Sequence, residues 1–300
     1  MQKVKAYVRL IRVYQWTKSG FIFLPFVFST KAISLVTEPF ADYSLVILSK
    51  IAFAFFGFSF MASAIYVLND WKDRELDRLD PKKKKRPLAS GAVSAFEGAL
   101  IGVALAVLGL LLASQAGTIT AGIVLAYAAM NVFYTYYGKN VLLLDVFIIS
   151  VGFVLRVLAG AYAIEVEASP WLLSCTFFIS LFLGFYKRYF EISNAPAEPM
   201  LGGQYRRESL KSFIDISAGL AIMTYSLYTI QGTHAGSMLY LTIPFVVMGI
   251  FRYYTLLDTP AEIDGNPSDV LLADLFLAFI IFAWVAVCFG LIFYFEYLHA

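Results

Sequence analysis

Three hundred residues, 60% hydrophobic, 17% aromatic and only 15% charged, do not make a water-soluble body, since ordinary globular domains run at about 45–50% apolar and about 25% charged. A mean hydropathy of +0.74 excludes a large extramembrane domain, and 23 Lys and Arg against 21 Asp and Glu argue against nucleic acid as a partner. Cys175 and Cys288 lie inside apolar runs and the only histidines are His234 and His299, which excludes a disulfide framework, a cysteine metal cluster and most histidine chemistry.

Residues 1–18 read as an interfacial amphipathic helix without the apolar core of a cleavable signal. Val4, Tyr7, Val8 and Ile11 fall at helical spacing, with Lys5, Arg9 and Arg12 elsewhere, a pattern suited to anionic headgroups. Nine apolar runs follow, at about 20–36, 45–68, 92–113, 117–137, 141–164, 170–190, 213–231, 237–258 and 270–297. A helix crosses a bilayer with about 20 such residues, whereas barrel strands alternate over about ten. The predicted fold is all-α, a multi-pass membrane protein of nine transmembrane helices in one domain over residues 1–300. Nine spans put the amino terminus and the 2/3, 4/5, 6/7 and 8/9 loops on one side, which collects twenty of the 23 Lys and Arg. The positive-inside rule makes that side cytoplasmic and places the carboxyl terminus outside.

The most informative stretch is LNDWKDRELDRLDPKKKKRPLASG, residues 68–91. Asn69, Asp73 and Asp77 stand at i, i+4 and i+8 and share one helical face. Stacked carboxylates repel unless a cation lies between them, and hard oxygen donors of this kind suit Mg²⁺ completed by phosphate oxygens. Lys82 to Lys85 and Arg86 follow at once, closed by Pro87. Acid for a metal beside base for phosphate reads as a diphosphate site. The bland alternative is a solvated loop obeying the positive-inside rule, and a lysine run alone also suits anionic lipid.

Other polar residues gather at the same end in this topology: Gln15, Trp16 and Lys18 before span 1, Lys187, Arg188 and Glu191 ending span 6, Arg252 and Asp258 closing span 8, and Asp269 and Asp274 opening span 9. Asp145 and Arg156 lie eleven residues apart on span 5, nearly one face of a helix. Arg156 falls deep in its span, where a guanidinium is usually functional or paired. Buried ion pairing for fold specificity is the competing account of these residues.

Residues 69–77 resemble the Asn-Asp-x-x-Asp-x-x-x-Asp motif of the UbiA superfamily of intramembrane prenyltransferases. The closer resemblance is to its polyprenyl-phosphate phosphoribosyltransferase branch, the decaprenyl-phosphate enzymes among them. It is carried by Arg12-x-x-Gln15-Trp16-x-Lys18, Asn69 through Gly91, Gly152 through Gly160 and Lys187-Arg188-Tyr189-x-Glu191. Val13, Ser19 and Asp80 depart from the usual Pro, Asn and His. The resemblance implies nine helices around a cavity open to the cytoplasm and a magnesium ion on Asn69, Asp73 and Asp77, which are also the catalytic candidates, with Asp70 nearby. Candidate substrate-binding residues are Gln15, Lys18, Lys83, Arg86, Tyr137, Asp145, Arg156, Lys187, Arg188 and Glu191. Family members with uncharged aromatic acceptors carry a second acidic motif where this chain reads Lys187-Arg188-Tyr189-Phe190-Glu191. Cations there suit substrates with additional phosphates. The expected activity is Mg²⁺-dependent transfer of 5-phosphoribosyl from phosphoribosyl diphosphate to a polyprenyl phosphate in the cytoplasmic membrane. Prenyl transfer to an aromatic acceptor and a transport path are the alternatives.

Overall fold

The computed structural model describes residues 2–29, 31–32, 42–194, 205–231, 238–256, 270 and 274–295. Every regular element among them is helical. The helices are α1 (Gln2–Ile11), α2 (Leu24–Val27), α3 (Asp42–Leu79), α4 (Ala95–Ala116), α5 (Thr118–Tyr136), α6 (Leu144–Ala163), α7 (Pro170–Asn194), α8 (Arg207–Gln231), α9 (Ile243–Thr255) and α10 (Leu275–Phe293). Seven of them, α3 to α8 and α10, are long and apolar enough to cross a bilayer, and the chain is an integral membrane protein.

Two predicted spans take a different form. The described part of the first is a 3-10 helix, Val13–Phe23, passing into the four-residue α2. The eighth is a 3-10 turn, Leu239–Thr242, leading into the short α9. A proline accounts for both breaks: Pro25 and Pro244 are second in α2 and α9, and a residue without an N–H is tolerated only in a first helical turn. Asp258 and Asp269, like His234 and His299, lie outside the described residues.

α3 has 38 residues, about 57 Å at 1.5 Å each, against a hydrocarbon layer of about 30 Å. Its predicted apolar run ends at residue 68, but the helix continues to Leu79. The last three turns therefore carry residues 69–79 as one continuous extension of the span.

The chain divides into two compact units, Met1–Leu24 with Phe40–Lys139 and Leu155–Val166, and Pro25–Pro39 with Asn140–Val154 and Glu167–Ala300. In the first, α3 and α4 pack backbone against backbone. A Cβ on Gly57 would lie 2.7 Å from the Ala113 nitrogen, and one on Gly109 would lie 2.8 Å from the Gly57 carbonyl oxygen. α1 rests on this pair through Leu10, which is buried with Val67, Leu88, Val93 and Leu105. α4 opens on a capping box between Ser94 and Glu97, and the Glu97 carboxylate also takes Tyr7 Oη at 3.2 Å and Lys3 Nζ at 2.7 Å from α1. In the second unit, Phe182, Phe185, Tyr186 and Tyr189 of α7 form an aromatic core with Tyr253 of α9, where Tyr186 and Tyr253 meet edge to face at 4.3 Å.

Candidate functional site

Three side chains one turn apart on α3 meet three different groups of the first unit. The Thr135 hydroxyl donates to Asn69 Oδ1. Lys139 Nζ donates to both carboxylate oxygens of Asp73, at 2.6 and 2.5 Å. Arg86 Nη1 donates to Asp77 Oδ2 at 2.8 Å. Asn69 and Asp73 are four residues apart, and so are Thr135 and Lys139. The turns match because α3 and α5, separated in sequence by α4 alone, run in the same direction. Lys139 sits in the 3-10 turn Gly138–Asn140 that ends α5. Lys72 Nζ fastens the two helix ends, donating to the Thr135 carbonyl at 3.0 Å and lying 4.0 Å over the Tyr136 ring.

Asp70 lies on the neighbouring face and holds two guanidinium groups. Its Oδ1 accepts from Arg12 Nη2 at 2.6 Å and from Arg86 Nη1 at 3.1 Å. Asp70 and Asp77 are each 2% exposed, and carboxylates so buried require charged partners. The loop after α3 delivers Arg86. Asp80 Oδ1 accepts the backbone N–H of Lys82 at 2.7 Å and of Lys83 at 2.9 Å, which starts the 3-10 turn Lys83–Lys85. Arg86 follows in extended backbone at ψ 143°. Burial pushes the Asp80 carboxyl up, but the hydrogen bonds from Lys83 and Lys82 outweigh it and hold this group below its usual range. Lys83, a substrate-binding candidate, spans back to Asp80 at 2.9 Å.

Arg12 turns the chain between α1 and the 3-10 helix with a left-handed φ of +55°. The segment beyond it is pinned to α3 by Trp16 Nε1 on Ser63 Oγ at 3.0 Å and by Ser63 Oγ on the Ile11 carbonyl at 2.7 Å. Lys18 is half-buried there. Gln15 Oε1 is buried with no hydrogen-bond partner among the described residues. Arg156 is buried between the rings of Phe58 and Tyr127, at 4.7 and 4.9 Å, and its Nη2 donates to Tyr127 Oη at 3.2 Å. An aromatic cage therefore meets the need for a partner that its depth in the span created. Tyr137 is not brought to the acidic face: it is 68% exposed and stacks on Phe133 at 6.0 Å. Lys139, two residues on, takes that place.

The second unit holds the remaining candidates. Asp145 is wholly buried and accepts from Arg188 Nε at 2.7 Å and Tyr205 Oη at 2.8 Å. Tyr205 Oη in turn accepts the N–H of Leu143 at 2.9 Å, a residue at φ +69°. Burial, then the hydrogen bond to Asp145, pushes the Tyr205 phenol above its usual range, so it remains a donor. Arg188 Nη1 reaches Glu191 at 2.6 Å and Lys187 Nζ stands 3.8 Å from Glu191. Asp145 thus positions Arg188 and pins the turn into α6, where the sequence had offered it as a substrate contact. Asp145→Asn leaves Arg188 on the part-exposed Glu191 alone and weakens the Tyr205 contact, and is expected to remove about 1–3 kcal/mol of stability, read as a lowered thermal midpoint in detergent.

Lys139, Arg12, Thr135 and Tyr205 complete this geometry; none was a sequence candidate for the site, though Arg12 opens the Arg12-x-x-Gln15-Trp16-x-Lys18 motif. A lone lysine in the shortest loop on the basic side was the one signal for Lys139.

The donor set on α3 can be tested for a metal on its chemistry. Among the described residues no three His, Cys, Asp or Glu side chains converge on one point. Mg²⁺ keeps several waters and needs only one or two carboxylates beside substrate phosphates. Asp73, Asp77 and the Asn69 amide supply that number and kind of oxygen, so the residues fit.

Residues 32–278 match the UbiA prenyltransferase family. The chain is 31% identical over 293 residues to the decaprenyl-phosphate phosphoribosyltransferase of Mycobacterium tuberculosis, covering 94% of this chain and 93% of that protein. It is 31% identical over 295 residues to the protein of the same name from Corynebacterium glutamicum, covering 93% and 84%. Its fold is similar to that of a UbiA homolog from Archaeoglobus fulgidus solved with GPP and Mg²⁺, at a TM-score of 0.69 and 17% identity over 96% of this chain and 99% of that one. With the family pattern spanning most of the chain and its acidic motif carried on a single helix end, the chain belongs to the UbiA prenyltransferase family.

Proposed function

We propose that the chain transfers the 5-phosphoribosyl group of phosphoribosyl diphosphate to a polyprenyl phosphate at the cytoplasmic face of the membrane, releasing diphosphate. The observation that carries this reading is the interleaving on the α3 tip of oxygen donors with fixed cations, Lys139 on Asp73 and Arg86 between Asp70 and Asp77. A diphosphate asks for both kinds of group. The names of the relatives that match over more than nine-tenths of the chain support the same donor and acceptor classes.

Asn69, Asp73 and Asp77 are the residues that would hold Mg²⁺, whose charge stabilises a departing diphosphate. Arg86 uses one nitrogen on two carboxylates, and a guanidinium has further N–H donors for phosphate oxygens. Lys18 and Lys139 add charge in the same unit. Lys187 and Arg188 in the second unit would neutralise a phosphate, with Glu191 offering an acceptor to a ribose hydroxyl. The bond from ribose C1 to the diphosphate breaks with oxocarbenium character as the acceptor oxygen bonds to C1. That oxygen belongs to a phosphate already anionic, so no general base is required, in keeping with only two histidines in the chain.

Purified protein with Mg²⁺, labelled phosphoribosyl diphosphate and polyprenyl phosphate is expected to move label into the lipid fraction. Unlabelled lipid, together with consumption of prenyl diphosphate and an aromatic acid, would assign the prenyl-transfer chemistry instead. A transport path gains no support from Arg156, the charged residue deepest in a span, since it is enclosed by aromatic rings.

A further inference from the structure

Beside the acidic tip, a separate cleft of about 250 Å³ opens between α1 and the basic loop. Lys5 and Arg9 of α1 line one wall and Lys85, Pro87 and Ser90 the other. No acidic residue lines it. Four of the cations around it are matched: Lys3 with Glu97, Arg12 with Asp70, Lys83 with Asp80, and Arg86 with Asp70 and Asp77. Lys5, Arg9 and Lys85 have no carboxylate partner among the described residues. Three like charges facing one small space repel one another unless an anion joins them.

The loop wall is ordered. Lys84 N–H donates to the Asp80 carbonyl at 3.0 Å, Arg86 N–H to Lys83 at 2.8 Å, Ser90 N–H to Arg86 at 2.9 Å and Val93 N–H to Pro87 at 3.0 Å. The facing helix has three distinct sides. Ala6, Tyr7 and Leu10 pack onto the protein, Lys5 and Arg9 line the cleft, and Val4 and Val8 are 63% and 53% exposed. In a membrane protein, an exposed pair of valines on such a helix belongs in the outer acyl layer, which sets the two cations beside it at headgroup level.

We infer that this cleft is a binding site for the phosphodiester of an anionic membrane lipid, with Lys5, Arg9 and Lys85 on the phosphate and Val4 and Val8 in the acyl chains. It is distinct from the diphosphate-binding face, because Arg86 and Arg12 are engaged on Asp70 and, among the described residues, no hydrogen bond or ion pair joins a residue lining the cleft to Asn69, Asp73 or Asp77. The site stands whichever donor the acidic face takes.

Native mass spectrometry of the full chain in detergent, titrated with phosphatidylglycerol or phosphatidylcholine, tests it. One phosphatidylglycerol is expected to bind in preference to phosphatidylcholine. Lys5→Gln, Arg9→Gln and Lys85→Gln are each expected to weaken it about fivefold, and together about a hundredfold, given about 1 kcal/mol per basic residue at an anionic surface. Neutralising three cations elsewhere (Arg74, Arg207 and Lys211) should leave binding within about twofold, since the effect belongs to the cleft and not to diffuse surface charge. Equal losses in both triple variants, or no preference for phosphatidylglycerol, overturn the site. Inorganic phosphate binding as well as the lipid at equal concentration makes it a free-anion site and overturns the lipid assignment. If the cleft triple variant does not fold, Lys85→Gln alone decides, and unchanged affinity overturns the proposal.

Discussion

Asp73→Asn is expected to lower Mg²⁺-dependent transfer by about 10²–10³-fold, the usual range for losing one fixed group that stabilises charge in a transition state, and to leave the fold intact. The exposures choose this residue over its neighbours. Asp73 is 21% exposed at the side chain, as is its partner Lys139, so losing that pair leaves a lysine that water can still solvate. A partly exposed pair is worth about 0–1 kcal/mol, and the thermal midpoint should move by no more than about 2–4 °C. Asp70 and Asp77 are 2% exposed, and the same change at Asp70 takes a buried acceptor from two guanidinium groups at once, Arg12 and Arg86. Asp70→Asn is therefore expected to lose stability and activity together. The measurement is initial rate against Mg²⁺ concentration beside a thermal melt of each variant. Wild-type turnover by Asp73→Asn at saturating Mg²⁺ would remove the metal role from this face.

How far the sequence reached is clearest on α3. Three oxygen-bearing residues at intervals of four share a face in any α-helix, so Asn69, Asp73 and Asp77 were legible from spacing alone. The helix had only to continue past its apolar run, and the structure shows that it does. What the face meets was not legible, because it depends on α5 running beside α3 in the same direction. Lys139 has no pattern around it, and Tyr137, in the same turn, faces away from the acids. Arg12 escaped for another reason: its contact with Asp70 requires a left-handed backbone that no local propensity favours in arginine. Asp145 was legible as a charge on the fifth predicted span, eleven residues from Arg156 and on nearly the same face. Its complete burial between Arg188 and Tyr205, which makes it an anchor, was not legible there. The first span misled because hydrophobicity does not distinguish a 3-10 helix from an α-helix, and Pro25 marks a helix start inside the apolar run.

The same first unit makes its strongest stability prediction at Gly160. A Cβ there would overlap the carbonyl oxygen of Ile22 and lie 2.8 Å from the Ile22 carbonyl carbon. Both are backbone atoms, so no rotamer change relieves the contact. Ile22 is fully buried, and on the α6 side Ala159, Ala161 and Ala163 are buried too, so neither strand of the contact has room to withdraw. Gly160→Ala is expected to cost about 3 kcal/mol or more, the upper part of the range for overpacking, and roughly 10 °C in thermal midpoint. Gly160→Val should fail to accumulate as folded protein. Gly122, where a Cβ would meet nothing within 4 Å, is the matched control: Gly122→Ala in α5 should be neutral or stabilising by about 0.4–1 kcal/mol. Because Ile22 belongs to the 3-10 helix that also carries Gln15, Trp16 and Lys18, the Gly160→Ala protein that does fold is expected to bind donor more weakly, with the α3 carboxylates untouched. Normal stability of Gly160→Ala would mean that the 3-10 helix does not lie against α6 as closely as this contact requires.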